Sequence, residues 1–109
     1  MYAVLYQVIA DLRRPESVEI VFADLFTYTE RVALAKRLAI AMFLEKGRSY
    51  EHIRRALKVS SATIAMVAER VGKPGMQHLL MTIKADEWAT SWSAKIVSLF
   101  RSISGKPAR

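Results

Sequence analysis

Apolar side chains recur every three to four residues along most of this chain, and each such stretch is bounded by a residue suited to starting or stopping a helix. Leu5, Val8, Ile9 and Leu12 share one face of a helix predicted over residues 2–12, which Arg13, Arg14 and Pro15 end. Pro15 fits the first position of a following helix, whose apolar stripe is Val18, Val21, Phe22 and Leu25. Thr29 is the expected N-cap of a long helix from Glu30 to Lys46, which closes at Gly47. Val32, Leu34, Leu38, Ile40, Met42, Phe43 and Leu44 nearly encircle it, so it is expected to be a central strut covered from several sides.

Beyond Gly47 the segments shorten. Ser49 is placed to cap a helix through Leu57, and after Lys58 and Val59, Ser60 is placed to cap another through Val71. Gly72, Lys73, Pro74 and Gly75 form a stop. The pattern from Met76 to Ile83 fits a helix or an extended segment, and His78 within it is expected to be packed or capped. Asp86 opens a final amphipathic helix over residues 86–103, with Trp88, Trp92, Ile96, Leu99 and Ile103 on one stripe. That stripe suits packing against the body or a second copy, or an interfacial membrane anchor. The fold expected is all-α, an orthogonal helical bundle in a single domain over residues 1–109, with dimerisation helices in 1–46 and a helix-turn-helix in 49–71.

The helix-turn-helix rests on Ile53, Leu57, Val59, Ile64 and Val67, which occupy the inner positions two short crossing helices need. Such a unit leaves its second helix projecting, so that its first residues can enter a major groove. Composition strengthens this. The net charge is +7, and its distribution is uneven: residues 1–25 carry a balance of −2, residues 26–75 a balance of +6, and the remainder +3. A basic middle segment attracts polyanions, and double-stranded DNA is the partner that fits the motif as well. Hydrophobic residues make up 52% of the chain, with 4 Gly and 3 Pro, an excess that points to an oligomer.

Other classes recede. No cysteine is present, which removes disulfides, thiolate nucleophiles and cysteine-ligated zinc. His52 and His78 are a poor start for a metal site, and His52 has no positioned partner that would make it a general base. No carboxylate pair, nucleophile with base or phosphate-cradling glycine loop is visible, so neither enzyme activity nor a cofactor is expected. No apolar run reaches the roughly 18 residues of a membrane span and no signal segment opens the chain, so a cytoplasmic protein is expected.

In the second motif helix the outward positions are Ser61, Ala62, Ala65, Met66 and Glu69, with Arg70 its first basic residue. The bidentate contacts that Arg, Asn or Gln make to purines are therefore absent from its opening. Ala and Met can touch thymine methyls, Ser can read through water, and DNA shape supplies the rest. Affinity would rest on phosphate contacts from Arg48, Arg54, Arg55, Lys58 and Lys73. Ser60, Thr63 and Arg70 complete the candidate DNA-facing set. Weak base-contact chemistry keeps an alternative open: a helical interaction or non-specific DNA-binding module that retains the fold without reading sequence.

The segment Phe26 to Gly72 resembles the Trp repressor superfamily, especially its Trp-repressor-related proteins of the YerC/YecD type. The resemblance is carried by Thr29-Glu30-Arg31, Ala35-Lys36-Arg37-Leu38-Ala39-Ile40, Gly47-Arg48-Ser49-Tyr50 and Ser60-Ser61-Ala62-Thr63-Ile64. It implies an intertwined all-helical homodimer with two reading heads, acting as a transcriptional regulator, by default a repressor. Members that bind tryptophan use an arginine on the long helix and an Arg-Gly pair in the reading helix. Arg37 matches the first arginine and Thr27 a pocket threonine, but Met66 and Val67 stand in place of the pair. With no arginine for the ligand carboxylate, and with Val67 expected over the indole, tryptophan is not the expected effector. Lys58 replaces a glycine common in the turn, either as a tolerated strain or because it reaches a phosphate.

Overall fold

Among the described residues the amphipathic segments fold as six helices: α1 (Tyr2–Ala10), α2 (Pro15–Leu25), α3 (Tyr28–Glu45), α4 (Tyr50–Leu57), α5 (Ser61–Arg70) and α6 (Pro74–Ala85). The computed structural model describes residues 1–85, so the amphipathic segment expected over 86–103, with Trp88 and Trp92, lies outside the described residues. The all-α class is as expected, and the stretch from Met76 to Ile83 is helical rather than extended. The chain groups into two units, Met1–Arg31 and the residues from Val32 onward.

In the first unit, α2 starts at Pro15, with Arg14 held in the extended region that a residue before proline prefers. The cap of α3 is Thr27, two residues earlier than expected. Its hydroxyl accepts a hydrogen bond from the Glu30 amide at 3.1 Å, and the Glu30 carboxylate accepts one from the Thr27 amide at 2.8 Å. This reciprocal pair satisfies two amides that the helix start leaves unbonded, so Thr27, not Thr29, ends the connection. The Arg31 guanidinium donates to the carbonyls of Ala23 at 2.8 Å and Phe26 at 3.1 Å, tying the end of α2 to the start of α3. Neither α1 nor α2 contains a buried residue.

The second unit holds the core. Ala39, Ile40, Ala41, Met42 and Phe43 of α3 pack with Ile53 and Leu57 of α4, Ile64 and Val67 of α5, and Leu80 and Ile83 of α6. The encircled α3 is thus covered only along its C-terminal half, because Leu34 and Leu38 stay 40% and 38% exposed. The expected strut is a strut at one end. The helix closes at Gly47, whose φ of +80° is the left-handed conformation glycine adopts without a Cβ penalty. There the Arg48 amide donates to the Phe43 carbonyl and the Gly47 amide to the Leu44 carbonyl, both at 3.0 Å. His78, expected to be packed or capped, is exposed on α6 and not packed, because Leu80 and Ile83 lie on the helix's other face.

Candidate nucleic-acid interface

Two serine caps define the helix pair that carries most of the candidate residues. Ser49 Oγ accepts from the His52 amide and Ser60 Oγ from the Thr63 amide, each at 3.1 Å, so α4 and α5 begin where their first free amides find a side-chain acceptor. Ile53, Leu57 and Ile64 are fully buried between the two helices, Val67 is 4% exposed, and Val59 packs at the edge. Five inner positions close the unit as their spacing predicts.

Between the helices Lys58 adopts φ 56° and ψ 55°, the only positive φ at a non-glycine among the described residues. Its amide donates to the Arg54 carbonyl at 2.9 Å, ending α4 as a glycine would, at a conformational cost of about 1 kcal/mol. Lys36 Nζ on α3 lies 3.4 Å from the Lys58 carbonyl, a long contact that links α3 to the turn.

Folding leaves Ser61, Ala62, Ala65, Met66 and Glu69 exposed along α5, with Arg70 exposed in its last turn. Thr63 is half-buried, and its hydroxyl lies 3.0 Å from Ser60 Oγ, so those two hydroxyls are engaged with each other and with the cap. Arg48 and Lys73 are exposed beyond the ends of α3 and α5. Arg54 and Arg55 are exposed on α4, but both are bound to one carboxylate: Arg54 Nη2 donates to Glu51 Oε1 at 2.6 Å and Arg55 Nε to Glu51 Oε2 at 2.8 Å. Those two bonds, with Arg54 contributing most, hold the Glu51 carboxyl below the usual glutamate range.

Lys58, Ser60, Thr63 and Met66 converge with Ala33, Lys36, Arg37 and Val59 on a groove of about 400 Å³. Three cationic side chains and no acidic one line it, an arrangement suited to an anion. Thr63 and Met66 line it from α5, whereas Val67 packs in the core. Arg37 lines the groove, whereas the Thr27 hydroxyl is committed to capping α3.

Glu51 and Lys36 lie outside the DNA-facing and pocket residues expected from the sequence. Glu51 stands three and four residues before the two arginines, a spacing that makes side chains neighbours on a helix. Lys36 carried no such signal, since its partner lies 22 residues away. Among the described residues no helix is long and apolar enough to cross a membrane, and no group of three or more His, Cys, Asp or Glu could hold a metal ion.

The model of one protein family, described as Trp repressor protein, matches residues 2–84, which extends in both directions past the segment whose motifs resemble that superfamily. No curated protein and no solved structure matches the chain.

Proposed function

The chain belongs to the Trp repressor family of helix-turn-helix DNA-binding regulators, and on that premise we propose that it is a sequence-specific, double-stranded-DNA-binding transcriptional repressor acting as a cytoplasmic homodimer. The observation that carries this reading is the α4–α5 unit. Its core is closed by Ile53, Leu57 and Ile64, and its second helix exposes Ser61, Ala62, Ala65 and Met66 beside the cationic turn residue Lys58. In this reading α5 enters the major groove, α4 crosses the backbone, and Arg48, Arg54, Arg55, Lys58 and Lys73 meet phosphates. A two-fold dimer presents two such heads and selects a palindrome with half-sites about one helical turn apart.

Tryptophan does not control this binding. Met66 stands where tryptophan-binding members carry the reading-helix arginine, and the cations that do line the groove, Lys36, Arg37 and Lys58, suit anions in general and offer nothing specific to an indole. Titration calorimetry with L-tryptophan should give no binding heat, and duplex affinity should be the same with and without it.

Selection from random duplexes near physiological salt tests the main reading. A palindromic consensus should emerge and be lost when Arg54, Arg55 and Lys58 are all changed to alanine. Enrichment indifferent to those changes, or none, would favour a module that keeps the fold without sequence readout, a reading supported by the absence of Asn, Gln or Arg from the exposed row before Arg70.

A further inference from the structure

Two of the arginines assigned to phosphates are already bound within the protein. Glu51 sits in the first turn of α4, and each of its carboxylate oxygens receives one guanidinium, at 2.6 and 2.8 Å. All three side chains are accessible, with Glu51 52%, Arg54 46% and Arg55 76% exposed, so DNA can reach the group and the internal pairing can exchange. Each guanidinium gives the carboxylate one donor, so to bind a phosphate oxygen it either leaves Glu51 or divides its donors between the two anions. If it leaves, a bare carboxylate remains beside the DNA backbone, where like charges repel. If it stays, the trio offers the duplex one net positive charge instead of two.

We propose that Glu51 is an internal competitor of DNA phosphates, which holds Arg54 and Arg55 on its own carboxylate and so lowers the affinity and the salt dependence of duplex binding. This rests on the DNA-binding reading above and adds to it a restraint on the reading head. A basic protein with an unrestrained head binds any duplex through phosphates alone. Glu51 weakens that contribution without touching the exposed face of α5. A glutamate followed at i+3 and i+4 by arginines also steadies α4, but that role alters melting and leaves duplex binding unchanged.

The test is a double-mutant cycle in the full chain, read as binding to a labelled duplex of random sequence across a salt series. E51Q keeps the size and polarity of the side chain and removes its charge. It should tighten binding at low salt by about two- to fivefold and steepen the logarithmic salt slope by about 0.9. In the R54A/R55A background the same substitution should give little or no gain, because there is nothing left to release. An equal gain in both backgrounds would mean that Glu51 acts only as a distant negative charge and would overturn the proposal. So would unchanged or weaker binding by E51Q, which would make Glu51 a support for the arginines. A second reading comes from the unmutated protein: adding duplex should move the Arg55 Nε–H resonance, and a fixed resonance with bound duplex overturns the exchange. Failure of the DNA-binding reading itself is recognised separately, since then neither the unmutated chain nor E51Q retains duplex at any salt.

Discussion

Lys58 combines two roles at one position. It ends α4 in the left-handed region, where a Cβ is unfavourable, and it presents an ammonium at the turn nearest α5. The two effects separate by substitution. Lys58→Gly relieves the strain and should stabilise the protein by about 1 kcal/mol, whereas Lys58→Ala keeps the strain and should leave stability nearly unchanged. Both remove the charge, so both should lower the salt slope of duplex binding by about 1 if the lysine meets a phosphate. A slope unchanged by Lys58→Ala would show that the strain is tolerated without return. Glu51 gives a pH counterpart. Its carboxyl is held low by Arg54 and then Arg55, so the folded state binds its proton less readily than the unfolded chain does. The stabilisation is therefore fully present above the unfolded value of about 4.3 and is lost as pH falls through the lower folded value. Thermal melts of the unmutated chain and E51Q should differ by a constant amount from neutrality to about pH 5 and converge at more acid pH. A difference that grew on acidification would contradict the pairing.

Helix ends decide where these elements lie, and their hydrogen bonds can be tested one at a time. Thr27→Ala should cost about 1 kcal/mol by removing the α3 cap, while Thr29→Ala, inside the helix, should cost little. Leu57→Ala opens the fully buried seam between α4 and α5 and should cost about 2–5 kcal/mol in denaturant unfolding. The helices themselves were legible because a period of 3.6 in apolar residues and a serine before each of α4 and α5 are local signals. The serine caps at Ser49 and Ser60 and the glycine at Gly47 stand where the sequence places them. What was misplaced depended on geometry that a linear pattern leaves open. Thr27 and Thr29 both precede the long helix, and only the reach of Glu30 back to the Thr27 amide selects between them. His78 has apolar neighbours in sequence, yet the helical turn sends them to another face. In the candidate site, the exposed row on α5 and the left-handed turn were readable. The Lys36 link to Lys58 was not, since it depends on how α3 approaches the turn. Arg54 and Arg55 are readable as cations, and the i+3 and i+4 spacing from Glu51 makes that carboxylate their shared neighbour.

For the molecule as a whole, charge and apolar surface are segregated along the chain. Most of the positive balance lies in residues 26–75, while α1 and α2 carry large exposed apolar side chains: Tyr2, Val4 and Tyr6 are each 66% exposed, Ile20 67% and Leu25 54%. Exposed apolar residues scattered singly need no explanation, but α1 and α2 together contain no buried residue at all, so their apolar content contributes little to stability in an isolated chain. A second copy is the occupant that the proposed repressor needs, because one head covers only half of a palindrome and two heads must be held at a fixed separation to read both halves. Burying those side chains at about 25 cal/mol per Å² would supply the association energy that the core of one chain does not use. Sedimentation equilibrium at micromolar concentration should therefore give a mass near twice the 12.3 kDa of the chain. Replacing Val4 and Tyr6 together with aspartate should return it to the single-chain value, with α4 and α5 still folded by circular dichroism. Affinity for a palindromic duplex should fall far more than affinity for a half-site. A chain that sediments as a monomer before any substitution, yet binds the full palindrome with two-head affinity, would contradict the assignment of residues 1–46 to dimerisation and leave the apolar side chains of α1 and α2 to another partner.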